Sequence, residues 1–276
     1  MHRLLFAAAL LLDACAPLTA YRYAAFTPTA RPIAWDGAVP ERGEVQVEGS
    51  LAHTDVLPQF FPAEHAAALN LAATTAEGLV SVGLVRGLGL GLRATYANWA
   101  WSQPSAAGTM PLPGKPSMWG IGPELKVAFT IDPEQRFSLG FAANALLYQL
   151  PWAEWKAGDC SAFTCGYAPS RTGTDAKLVF AGGFYPSYAL GEGGKFGQVF
   201  AMLAFHTDFK NDGFTNDKSA NSTLQTDGLV PLAGGGASVR LGPVKLGGTV
   251  YLPLSSQGSS GAQRLGGMVT VGYDGK

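Results

Sequence analysis

Charged side chains are scarce: they make up 14% of the 276 residues, 19 Lys and Arg against 20 Asp and Glu, for a net charge of -1. A chain with so little charge of either sign is neither a disordered polyelectrolyte nor a nucleic-acid binder. No uncharged stretch has the length and apolarity of a transmembrane helix. Histidines number four and cysteines three, and no His lies beside the one close cysteine pair, so no metal site is expected there. The sequence holds no G-x-S-x-G, Walker A, H-E-x-x-H or dinucleotide fingerprint, and the expectation is a protein without catalytic residues or cofactor. Glycine, by contrast, is abundant at 36 residues, roughly twice the usual share of about 7%. Long helices are thereby disfavoured, because each interior Gly costs roughly 1 kcal/mol. Hydrophobic residues reach 47% and aromatics 11%, enough for a large buried or lipid-facing surface.

The first 20 residues have a positively charged start (His2, Arg3), an apolar run from Leu4 to Leu12 and then small residues, which is the layout of a secretory signal. Within it, Leu12-Asp13-Ala14-Cys15 resembles the lipobox of bacterial lipoproteins, although Asp13 departs from that pattern. The resemblance implies lipidation of Cys15 and cleavage before it; cleavage after Leu18-Thr19-Ala20 is the alternative and would discard Cys15. Ala16 and Pro17 follow in place of the Asp that marks inner-membrane retention, which implies the outer membrane. Residues 21–42 carry Pro28, Pro32 and Pro40 without periodicity, and read as an extended tether. Cys160 and Cys165 are separated by four residues in an exported chain, a spacing that reads as a small disulfide-closed loop.

From residue 43 to 276 the dominant signal is period-two alternation, the mark of strands with one apolar and one polar face. Val45, Val47 and Leu51 alternate with Glu44, Gln46, Glu48 and Ser50, and Leu125, Val127 and Phe129 with Glu124, Lys126 and Ala128. The spacers fall into two length classes that alternate along the chain. Short ones are 86–87, 132–135, 191–195 and 242–243; long ones are 54–64, 102–116, 151–174, 211–227 and 255–262. Residues 65–85 fit the scheme less simply, since 66–73 is Ala- and Leu-rich and 79–85 alternates like a strand. Short turns on one side and long loops on the other describe a transmembrane barrel with both chain ends on the short-turn, periplasmic side. The fold class is therefore all-β, an antiparallel up-and-down transmembrane β-barrel of about ten strands, with eight to twelve compatible with the pattern. Trp99, Trp101, Trp119, Tyr148 and Trp152 fall at long-loop ends, and Phe137, Tyr188, Phe196 and Tyr273 at short-turn ends, as two interfacial girdles would.

With the apolar parity facing lipid, the lumen collects Glu44, Glu48, Glu124 and Asp208 together with Arg93, Lys126, Lys177, Arg240, Lys245 and Arg264. Both signs are present, so ion pairs are expected inside. The inward Gly89, Gly91, Gly247 and Gly266 argue for room left for water or a small solute, and the two tendencies together give a narrow conduit. The run Gly234-Gly235-Gly236 is read as a bulge or bend in a strand. His53-Thr54-Asp55 and His206-Thr207-Asp208 repeat a triplet, but parity sets His53 outside and His206 inside, against a shared acid/base or metal site.

Residues 43–276 as a whole resemble a bacterial outer-membrane β-barrel protein, departing at the C-terminus, where many such barrels end in Phe and this chain ends Tyr273-Asp274-Gly275-Lys276. The resemblance implies outer-membrane lipid as partner, a structural or narrow-pore role, and a small solute as cargo. Two alternatives stand beside it: a soluble lipid-anchored barrel with an apolar ligand inside, and an outer-membrane lipid-modifying enzyme.

Overall fold

In the computed structural model the described residues are 21–25, 27–56, 71–72, 74–98, 117–132, 134, 136–160, 165–191, 194–211, 224–254 and 263–275. They form thirteen strands: β1 (Tyr21–Ala25), β2 (Thr27–Pro28), β3 (Val45–Val56), β4 (Leu71–Ala72), β5 (Thr74–Val85), β6 (Leu88–Asn98), β7 (Ser117–Thr130), β8 (Phe137–Cys160), β9 (Cys165–Leu190), β10 (Gly197–Asn211), β11 (Leu224–Leu241), β12 (Val244–Pro253) and β13 (Gln263–Gly275). Ten of these, β3 and β5 to β13, pair with their neighbours in sequence, every pair antiparallel. The last strand returns to the first, with Val269 opposite Leu51 and Tyr273 opposite Val47. The sheet is closed, and closure removes the open edges that a membrane would penalise.

Alternation decides which face is which. Gln46, Glu48 and Thr54 on β3 are buried while Val45, Val47 and Leu51 are exposed. The same rule runs around the wall, with Leu92, Phe129, Leu203 and Val269 all more than half exposed on its outside. The short turns sit together at one end. At Gly87 (φ 77°) and Gly242 (φ 65°) the hairpins use a left-handed backbone that glycine adopts without strain. The β7–β8 turn is held by Asp132, whose carboxylate accepts the backbone N–H of Arg136 at 3.0 Å and of Phe137 at 2.6 Å. The Arg136 amide, then that of Phe137, hold this carboxyl below its usual range.

Three parts of the chain differ from the sequence reading. Residues 151–160 and 165–174, expected within a loop, continue β8 and β9 as a ribbon that rises past the barrel, with Trp152 opposite Gly173 and Cys160 opposite Cys165. The glycine run 234–236 does not bulge, because its ladders are continuous on both sides; the side chains of Met202 and Phe200 occupy the space beside Gly234 and Gly236 instead. The third is the tether. β1 lies antiparallel on the ribbon, Tyr21 opposite Lys156 and Ala25 opposite Trp152, at the long-loop end. From there residues 27–36 are buried without interruption, and the chain reaches the short-turn end at Arg42, which bridges to Gly83. The described chain thus starts at the long-loop end, opposite to its C-terminal strand end, and passes down through the barrel before building the wall. A low-charge segment with Ile33, Ala34 and Trp35 gains more from the interior than from water, which the proline spacing alone does not reveal. Cys15 and the rest of residues 1–20 lie outside the described residues.

Candidate functional site: the occupied lumen

The inward parity places Glu48 on β3, Glu77 on β5, Arg93 on β6, Glu124 and Lys126 on β7, and Lys245 on β12, all buried. The threaded segment adds Arg31 and Asp36. Together they form one continuous ionic chain. Arg31 Nε lies 2.5 Å from Glu77 Oε1, and Arg93 Nη1 lies 2.7 Å from Glu77 Oε2. Arg93 also grips Glu124 through Nε, and Lys126 sits 3.7 Å from Glu124 and 3.0 Å from Glu48. Lys245 closes the series, 2.7 Å from Glu48 and 3.5 Å from Asp36. Four acids face four bases, so this chain of ion pairs is charge-neutral, and it begins and ends on the threaded segment. Desolvating each ion costs several kcal/mol, which only this degree of pairing offsets.

Neutral contacts fix the rest of the segment. Arg31 Nη2 donates to Tyr148 Oη at 2.8 Å, Tyr185 Oη donates to the Ile33 carbonyl at 3.1 Å, and Ser238 Oγ donates to Asp36 Oδ2 at 2.7 Å. Arg93 Nη2 reaches the Ala34 carbonyl at 3.4 Å. The Trp35 indole meets Tyr185 edge-on, with ring centroids 5.1 Å apart and planes at 64°, and donates to the Ala38 carbonyl. It fits only because position 140 is glycine: a Cβ there would lie 2.5 Å from the Trp35 ring. Around the segment, Ala142, Tyr185, Phe200, Met202 and Tyr251 form an apolar sleeve, and above it Met118, Leu146, Tyr148, Leu150, Val179 and Phe209 form a second cluster. Below Asp36 the lumen widens into a vestibule of about 650 Å³ at the short-turn mouth, lined among others by Glu44, Arg86, Arg240 and Asp274.

Sequence reasoning therefore found Glu48, Arg93, Glu124, Lys126 and Lys245, which the structure brings together. Glu44 and Arg240 are only half-buried and belong to the vestibule, Glu44 accepting the Glu41 amide at 3.0 Å and Arg240 pairing with Asp274 at 2.7 Å. Lys177 is half-buried on β9, in register with Tyr148. Asp208 is buried where β10 shifts register and accepts the Phe209 amide at 2.9 Å. The side chain of Arg264 lies outside the described residues. Glu77 was legible as the inward parity of β5, but the ambiguous stretch before it hid the strand. Arg31 and Asp36 had no periodic signal to mark them.

Several expectations change. The space beside inward glycines is filled rather than open: Gly89 faces Val39 of the threaded segment, with a Cβ expected 3.2 Å from its side chain, and Gly91 faces Leu79 and Ser81. Tyr148, expected in a girdle, is wholly buried in the lumen, and Trp152 packs against the upper cluster. Trp119, Phe137, Tyr188, Phe196 and Tyr273 are outward and exposed; Trp99 and Trp101 lie outside the described residues. His53 is outside the wall, bonded to Thr74 Oγ1 at 2.7 Å, whereas His206 is buried inside it and bonded to the Thr207 carbonyl at 2.7 Å.

Such a molecule is a closed ten-stranded barrel with an apolar exterior and a paired ionic interior. Solved structures of similar shape are outer-membrane barrels. LpxR from Salmonella typhimurium has a TM-score of 0.43 at 10% identity, covering 83% of this chain and 99% of that one. An outer-membrane channel from Pseudomonas putida F1 has a TM-score of 0.44 at 10% identity, covering 88% and 99%. The translocator domain of the autotransporter NalP from Neisseria meningitidis has a TM-score of 0.39 at 12% identity, covering 96% and 92%. No protein-family model matches the chain, and no curated protein matches it in sequence.

Proposed function

We propose that this chain is an outer-membrane barrel whose lumen is a conduit for small polar solutes, held shut by its own segment 27–40. The apolar exterior supports residence in lipid, and it speaks against a soluble barrel with an apolar ligand, whose apolar parity would have to point inward. The observation that carries the conduit is the placement of the ionic chain. Its two terminal members, Arg31 and Asp36, belong to the occluding segment, so the closure rests on exchangeable ionic contacts and opens below onto a solvent-sized vestibule. A purely structural barrel could fill its lumen with wall side chains alone.

Planar-bilayer recording tests this. The wild type should show little steady conductance, and Arg31→Ala/Asp36→Ala should show long-lived openings. If the double variant stays silent while still migrating as a heat-modifiable barrel, the conduit reading fails and a structural role remains.

A further inference from the structure

Resting on the conduit reading, we infer that the lumen is a binding site for an extended peptide, of which segment 27–40 is the resident occupant. What holds the segment is of two kinds. Tyr185 and Arg93 donate to the main-chain carbonyls of Ile33 and Ala34, contacts that any peptide presents. Three side-chain sites then impose a chemistry. A guanidinium is taken by Glu77 with Tyr148 beside it, a carboxylate by Ser238 and Lys245, and an aromatic ring by the slot that Gly140 leaves against Tyr185.

Their order matters. The guanidinium and the carboxylate are five residues apart, a reach of at most about 17 Å for an extended chain, with the ring just before the carboxylate. The wall's share of the ionic chain is three acids and three bases, so this stretch of the lumen by its net charge selects neither cations nor anions. When β1 releases and the segment withdraws, Glu77 keeps Arg93 and the Ser50 hydroxyl, and Lys245 keeps Glu48 as its ion-pair partner. The vacated lumen therefore has a spare acceptor near the long-loop half and a spare donor above the vestibule. A ligand that restores the pairing carries its cation toward the long loops and its anion toward the short turns. The class so defined is a short zwitterionic peptide, read by backbone donors and oriented by its two charges. A free amino acid is too short to reach both ends.

The test uses the full chain with residues 27–40 exchanged for a Gly/Ser run of equal length and with β1 unzipped from β8 by Arg22→Pro/Ala24→Pro, so that nothing ties the run at the long-loop mouth and it can withdraw, checked for heat-modifiable migration. Fluorescence anisotropy follows binding of a labelled synthetic peptide with the sequence of residues 27–40, and of the same peptide with its Arg and Asp interchanged. The native order should bind at least about tenfold more tightly than the interchanged one, since reversal sets like charges together in a desolvated site. It should also bind the exchanged chain at least about tenfold more tightly than the wild type, whose site is occupied. If the exchange prevents barrel formation, Arg31→Ala/Asp36→Ala carries the same comparison. Equal binding of both peptides, no binding to the emptied barrel, or equally tight binding of free arginine or aspartate would each overturn the inference. Bilayer recording of the same emptied barrel without peptide separates the two readings: peptide binding without conductance overturns the conduit and leaves the site, while conductance without binding does the reverse.

Discussion

Glu77 shows how much one buried carboxylate can organise. It accepts from Arg31 and Arg93, and from Ser50 Oγ at 3.2 Å, so it joins three wall strands, β3, β5 and β6, to the threaded segment. Glu77→Ala leaves two guanidinium groups without that partner, and removing one member of a buried ion pair costs about 3–5 kcal/mol. The expected outcome is a lower midpoint in urea unfolding, followed by heat-modifiable migration, together with raised conductance. Unchanged stability and silence would mean that Arg31 finds an equivalent partner. Gly140 makes the complementary point about space. Gly140→Ala places a methyl against the Trp35 ring, and either the ring or the strand must shift. The fluorescence of Trp35, isolated by replacing the other tryptophans with Phe, should become more accessible to an aqueous quencher. Quenching as low as in the parent would show that the wall yields instead.

Among the elements, the threaded segment and the β8–β9 ribbon act as a unit. β1 adds a strand to the part of β8 that lies beyond the barrel wall, so the segment is anchored at its top by ladder hydrogen bonds and at its bottom by the Arg42–Gly83 bridge. In between, the described residues show the short parallel pairing of β2 with β4, Thr27 opposite Leu71 and Pro28 opposite Ala72, and beyond it side-chain contacts and isolated carbonyl bonds. This anchoring at opposite mouths means that the segment can vacate the lumen only when β1 first releases from β8 and the chain is drawn toward the short turns. It also fixes topology. With the short turns in the periplasm, an epitope placed just ahead of Tyr21 should bind antibody on intact cells, as should one inserted between Cys160 and Cys165, whereas a tag after Lys276 should not. An epitope at Tyr21 that becomes reachable only after the outer membrane is opened would show that the segment enters from the periplasmic side. The facing positions of Cys160 and Cys165 in the β8–β9 register are compatible with the disulfide expected from their spacing, and mass measurement with and without reduction decides it.

For the molecule as a whole, the balance of four acids and four bases sets what an opened barrel would pass. Removing Arg31 and Asp36 together takes one charge of each sign and leaves three of each in the ionic chain, with Asp208 buried on β10 outside it. Reversal potentials of the open double variant in a KCl gradient should therefore lie close to zero, and strong selectivity for either ion would contradict the balanced lumen. Much of this architecture is legible in the chain itself. Strict alternation in residues such as 44–51 and 124–129 specifies two-faced strands, and alternating spacer lengths specify up-and-down closure with all short turns at one end. Parity then names Glu48, Arg93, Glu124, Lys126 and Lys245 as interior. These properties are local, repeated many times over, and each strand restates them. The occupancy of the lumen has no such signature. Whether Arg31, Trp35 and Asp36 lie in water or between Glu77, Gly140 and Lys245 depends on partners 46 to 209 residues away in sequence, on the width of the closed wall, and on glycines whose empty faces point inward. Sequence periodicity thus determined the wall, because a strand's faces are set by its own side chains, whereas only the closed tertiary structure decided that the lumen is filled, because the fit of an aperiodic segment is a property of the space the wall encloses.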